Sequence, residues 1–129
     1  MRFVQQMAVS FCPDCWKEIG ERTTVCPHCR YDISRYANLS YERKLIGALR
    51  YPVRENRMMA IQSLGEMYSR VALPYFAAIL ETEEDFFVIR EILYSLEKIG
   101  NTESRNIIRR LMTHKSKMVR ETAKRLISA

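Results

Sequence analysis

The feature that most constrains this chain is a pair of matching cysteine turns near its start, Cys12-Pro13-Asp14-Cys15 and Cys26-Pro27-His28-Cys29, with ten residues between them. Two residues between cysteines let both thiolates face one ion from a tight turn. Two such turns complete a tetrahedral sulfur shell of the kind that suits zinc. The duplication extends beyond the cysteines: Cys12-Pro13-x-Cys15-x-x-x-Ile19 recurs 14 residues later as Cys26-Pro27-x-Cys29-x-x-x-Ile33. Four thiolates leave no open position for water, so Cys12, Cys15, Cys26 and Cys29 are expected to hold a structural rather than a catalytic Zn2+.

These paired knuckles resemble the zinc-ribbon families, and the resemblance implies a small antiparallel β fold over residues 8–35. Such knuckles often carry Gly after the second Cys, where positive φ is favoured; Trp16 and Arg30 stand there instead. Iron in a rubredoxin-like site is the alternative metal, although the ten-residue gap is short for that family. A disulfide pair would need an oxidising compartment that nothing else in the chain suggests, and a redox C-x-x-C would stand singly at a helix start. With the quartet complete, His28 is expected to point outward. Phe11, Trp16, Ile19 and Ile33 form a small apolar face, expected to dock on the first helix near Leu45, Ile46 and Leu49, or else to serve as a partner-binding patch.

After residue 40 there is no cysteine, and apolar residues recur at spacings of three and four. Six helices are predicted, over residues 40–50, 54–69, 71–81, 86–99, 103–113 and 116–128. They pair up. An offset of 32 places Leu64 over Leu96, Met67 over Ile99, Phe76 over Ile108 and Ile79 over Leu111, with Leu73 over Arg105 as a mismatch. An offset of 30 places Ile89 over Val119, Arg90 over Arg120 and Leu96 over Leu126. A repeat of two helices is the mark of a solenoid whose units bury their apolar faces against their neighbours.

The segments Ala72 to Leu80 and Phe87 to Asn101 resemble the helices of HEAT repeats, most closely the short, phycobilisome-lyase-type variety near thirty residues. The Val88-x-Arg90 start, the Gly100 end and Pro74 early in a second helix carry this likeness, which covers roughly residues 40–129 and which Asn106, in place of a proline, departs from. The fold class expected is therefore mainly α: an α-solenoid of about two to three HEAT-like helix pairs (39–129) with a small N-terminal β zinc ribbon (1–38). Catalytic members of the HEAT-like class, such as bilin lyases and DNA glycosylases, are far longer arrays, so their activities do not carry over.

No run approaches the roughly 20 apolar residues of a membrane span; the best, Val71 to Leu80, is ten long and includes Pro74. The first ten residues hold Gln5 and Gln6 where an export signal would be apolar, so a cytoplasmic location is the default. The formal charge of +6 is unevenly placed. Arg105 to Arg125 contains eight basic residues against one acid, Glu121, while Glu81, Glu83, Glu84 and Asp85 cluster at a joint. The bases either give the last helices a solvated, capping face or bind phosphate through Arg109, Arg110, Lys117, Arg120 and Lys124. His114 is expected to cap a helix end. No Ser-His-Asp arrangement, phosphate loop or H-E-x-x-H motif is present, so no enzymatic role is expected. The expectation is an adaptor that binds a protein partner on a HEAT-like scaffold. A nucleic-acid-associated regulator is the alternative, and self-association is left open.

Overall fold

The structure, a computed structural model, describes residues 9–128. The expectation about an export signal falls largely on residues 1–8, outside the described residues. Strands β1 (Val9–Phe11) and β2 (Glu18–Gly20) pair antiparallel, with Val9 opposite Gly20, Ser10 opposite Ile19 and Phe11 opposite Glu18. The first knuckle is the turn between them. The second is closed by a single bridge, Val25 to Asp32, and runs into a 3-10 turn at Ile33–Asn38 that Asp32 opens by accepting from the Ser34 N–H. The small antiparallel sheet agrees with the ribbon expectation and has two strands. In β2 only Ile19 turns inward, so there is little apolar surface for a larger sheet to cover.

Six α-helices follow among the described residues: α1 (Tyr41–Ala48), α2 (Arg54–Glu66), α3 (Leu73–Thr82), α4 (Phe86–Ile99), α5 (Thr102–Arg110) and α6 (Lys117–Ser128). Local chemistry sets their ends. Ser40, Asp85 and Asn101 cap α1, α4 and α5 by accepting from backbone N–H groups that have no helical partner. Pro74 sits in the first turn of α3, where a missing N–H costs nothing. Gly100, at φ 65°, closes α4 in the left-handed conformation. Two predicted helices ran long. The stretch 54–69 stops at Glu66 because Tyr68 turns to φ 55°, and 103–113 tightens into a 3-10 turn at Leu111–Thr113.

Helix α4 is central. Its Val88, Ile89, Ile92, Leu93 and Leu96 are almost fully buried, because it packs against α2, α3, α5 and α6. Helix α1 leans on α2, α3 on α5, and α5 on α6. The α2–α4 approach is so close that a Cβ on Gly65 would lie 2.5 Å from Ser95 Oγ and 2.8 Å from its Cα. Ser95 Oγ, in turn, donates to the Ile61 carbonyl at 2.8 Å, which satisfies a hydroxyl buried in the contact.

Polar contacts between successive helices and their joints recur at a fixed separation. Arg54 to Asp85, Glu84 to Lys115 and Tyr94 to Arg125 each join residues 31 apart. Two arginines also take equivalent positions: Arg57 donates to the Tyr51 and Pro52 carbonyls, and Arg120 to those of His114 and Lys115, six and five residues back in each case. Each ties the first turns of its helix to the joint before it.

Candidate metal centre

The two knuckles are built alike, bond for bond. In the first, Cys12 N–H donates to Lys17 O, Trp16 N–H to Cys12 O, and Asp14 N–H to Cys12 Sγ at 3.3 Å. In the second, Cys26 N–H donates to Tyr31 O, Arg30 N–H to Cys26 O, and His28 N–H to Cys26 Sγ at 3.4 Å. The residue after each second cysteine is left-handed, Trp16 at φ 62° and Arg30 at φ 70°. The knuckle geometry is therefore kept without the usual glycine, although a side chain in that region costs roughly 1–2 kcal/mol.

The four sulfurs converge within 4.8 Å of one another. Cys12 Sγ lies 3.6 Å from Cys29 Sγ, and Cys15 Sγ 3.7 Å from Cys26 Sγ. A disulfide would bring a pair to about 2.05 Å. Four thiolates held about 2.3 Å from one ion at tetrahedral angles stand about 3.8 Å apart, close to the 3.6 and 3.7 Å of these two pairs. The quartet is thus shaped to hold a metal ion, and the N–H groups aimed at Cys12 and Cys26 offset the charge that such a shell concentrates.

Protons compete with the ion for these sulfurs. Burial raises the Cys26 thiol, yet the N–H groups of Cys29 and His28 and the thiols of Cys29 and Cys12 outweigh it, bringing it down to about 6. For Cys29 the Tyr31 N–H pulls downward, while burial and the Cys12, Cys15 and Cys26 sulfurs push it up to about 12. Thiols must lose their protons to ligate a metal, so binding at the quartet releases protons and is expected to weaken as pH falls.

The site is tied to the helices on one side. The Trp16 indole N–H donates to the Gly47 carbonyl at 3.1 Å, and its ring meets Tyr51 edge-on with centroids 4.6 Å apart. Asp14 pairs with Arg50 at 2.9 Å, and Lys44 lies over the Tyr36 ring. Of the four apolar residues expected to dock, Trp16 alone makes this bond. Ile19 and Ile33 instead pack around the sulfurs in a separate small core, and Phe11 is partly exposed. The acceptor on α1 is the backbone carbonyl of Gly47 rather than the side chains of Leu45, Ile46 and Leu49, of which Ile46 and Leu49 belong to the helical core. His28 is exposed. His114 uses Nδ1 to accept from the Ser116 N–H at 2.9 Å, just before α6.

The basic residues divide between two helices. Arg109 and Arg110 are exposed in the last turn of α5, and Lys117 and Lys124 are exposed on α6; Lys117 lies 3.8 Å from Glu121. Arg120 is half-buried and bonded to carbonyls. Sequence reasoning did not single out Arg57, Gly65 or Ser95. Arg57 and Arg120 are 63 apart, about twice the repeat, and that was the available signal.

The chain matches no protein-family model, and no curated protein or solved structure is significantly similar to it. No helix is long and apolar enough to cross a membrane among the described residues.

Proposed function

We propose that this protein is an interaction module that works by binding rather than turnover, in which a four-thiolate zinc ribbon is stapled to one end of a short HEAT-like helical array. The observation that carries this reading is the closed sulfur quartet joined to the helices through Trp16. A shell of four thiolates supplies folding energy and no reactive position, so its product is a rigid surface. The contacts at 31-residue separation, between the two offsets legible in the sequence, support the reading of α2 to α6 as stacked repeats, and α1 would then complete a third pair. Zinc is the metal favoured, since a tetrahedral thiolate set without redox demand suits it best. A reducing, cytoplasmic setting is the one in which such a quartet stays free of disulfides.

The test is affinity capture with the zinc-loaded protein, with the Cys26→Ser variant as control. Specific protein partners that wild type retains and the variant loses support the reading. Recovery of no partner, together with tight, salt-sensitive binding to mixed-sequence RNA or DNA, overturns it. That outcome would favour the second reading, a nucleic-acid-associated protein using Arg109, Arg110, Lys117, Arg120 and Lys124, which rests on the exposure of all but Arg120.

A further inference from the structure

Arg90 is the residue that breaks the pattern set by Arg57 and Arg120. It lies over Arg120 in the repeat, yet among the described residues it makes no hydrogen bond to the carbonyls of Glu84 and Asp85, six and five residues before it. Its guanidinium instead lies against three rings: Phe87 at 5.1 Å, Phe86 at 5.7 Å and Tyr94 at 6.0 Å from the centroids. Its Nε is buried and has no hydrogen-bond partner among the described residues. Arginine whose faces are covered by rings keeps its N–H edges for an acceptor.

The contacts continue on both sides. Arg54 of α2 stands 5.8 Å over Phe87, and the exposed Arg125 of α6 reaches the Tyr94 hydroxyl at 3.4 Å. Cations and rings therefore alternate across three helices, and Phe87 and Tyr94 remain 47% and 39% exposed. Arg and Tyr are enriched among protein-binding hot spots, and Phe is enriched at interface cores. We infer that this strip binds an acidic, apolar segment of a partner protein, with carboxylates on Arg90 and Arg125 and apolar side chains on Phe87 and Tyr94; the inference rests on the interaction-module reading and names the surface and chemistry it would use. Charge complementarity argues for this occupant, since of the three arginines in the strip Arg54 is paired with Asp85 while Arg90 and Arg125 have no carboxylate partner among the described residues.

The test is fluorescence anisotropy with the full, zinc-loaded chain and three labelled probes: a twelve-residue peptide of alternating Glu and Leu, its Lys and Leu counterpart, and a twelve-nucleotide oligouridylate. The acidic peptide is expected to bind alone, more weakly as salt rises. Arg90→Gln and, separately, Arg125→Gln are each expected to weaken it by about tenfold, the loss of one charge-assisted contact. Arg125 is exposed, so its variant keeps the fold and guards against mere unfolding at Arg90. Failure of the acidic peptide to bind, or binding that both variants leave unchanged, overturns the strip and leaves the capture test of the module intact. Oligouridylate binding that both substitutions abolish overturns the strip and the module reading together.

Discussion

At the scale of single residues, the knuckles show what is constrained and what is free. Arg30 occupies a left-handed position with no hydrogen bond or ring contact to its side chain among the described residues, whereas Trp16 occupies the matching position and makes the bond to α1. Arg30→Gly is therefore expected to stabilise the metal-loaded knuckle by about 1 kcal/mol, part of the left-handed penalty. Trp16→Gly relieves the same strain but removes the indole, and is expected to lower the melting temperature; a thermal melt of both variants checks the contrast. Gly65 is constrained from outside. Gly65→Ala forces a Cβ into Ser95 and is expected to cost about 1–3 kcal/mol in denaturant unfolding, the usual range for overpacking. Asp85 is constrained by charge: its hydrogen bond from Arg54 first, then the N–H of Phe87, hold its carboxyl below the ordinary value despite some burial. Because the native value is depressed, the stability it contributes is present above the ordinary carboxylate range and is lost as pH falls through the native value. Asp85→Asn keeps the cap and loses the ion pair, so its unfolding free energy is expected to depend less on pH in the acid range than that of wild type, by at most about 1 kcal/mol.

At the scale of elements, the helices are held by neighbours more than by their own propensity, and that decides which parts were legible. The cysteine turns were readable because the chemistry of a C-P-x-C knuckle is local; the positive φ at Trp16 and Arg30 was not, because neither position carries the glycine that would mark it. The six helices were readable from periodicity, because each buries one stripe; α4 shows it most clearly in Val88, Ile89, Ile92 and Leu96. The joints were less so. Tyr68 turns left-handed in a stretch that periodicity extended to residue 69, and nothing in the spacing marks that turn. The docking of Trp16 on a glycine carbonyl and the release of Arg90 onto rings were illegible because both depend on residues brought together only by the fold. The basic C-terminal segment was legible as charge and not as a site: Arg120 was indistinguishable from Lys117 and Lys124 until its carbonyl bonds were seen.

At the scale of the whole molecule, two small cores meet through few contacts. One surrounds the sulfurs with Ile19, Tyr31 and Ile33; the other runs from Ile46 to Leu126 through all six helices. The Trp16 bond, its edge contact with Tyr51 and the exposed Asp14–Arg50 pair join them. On this division, chelating the metal is expected to unfold the knuckle region while most of the helical circular dichroism persists; a loss of all helical signal would mean that the two cores fold as one. The claim beneath this is that one zinc ion holds all four thiolates. Native mass spectrometry with cysteine alkylation tests it most directly: the expected result is one zinc per chain and four unreactive cysteines that become reactive together on chelation. Protein carrying iron or no metal, or with any one of Cys12, Cys15, Cys26 and Cys29 freely alkylated, would contradict it.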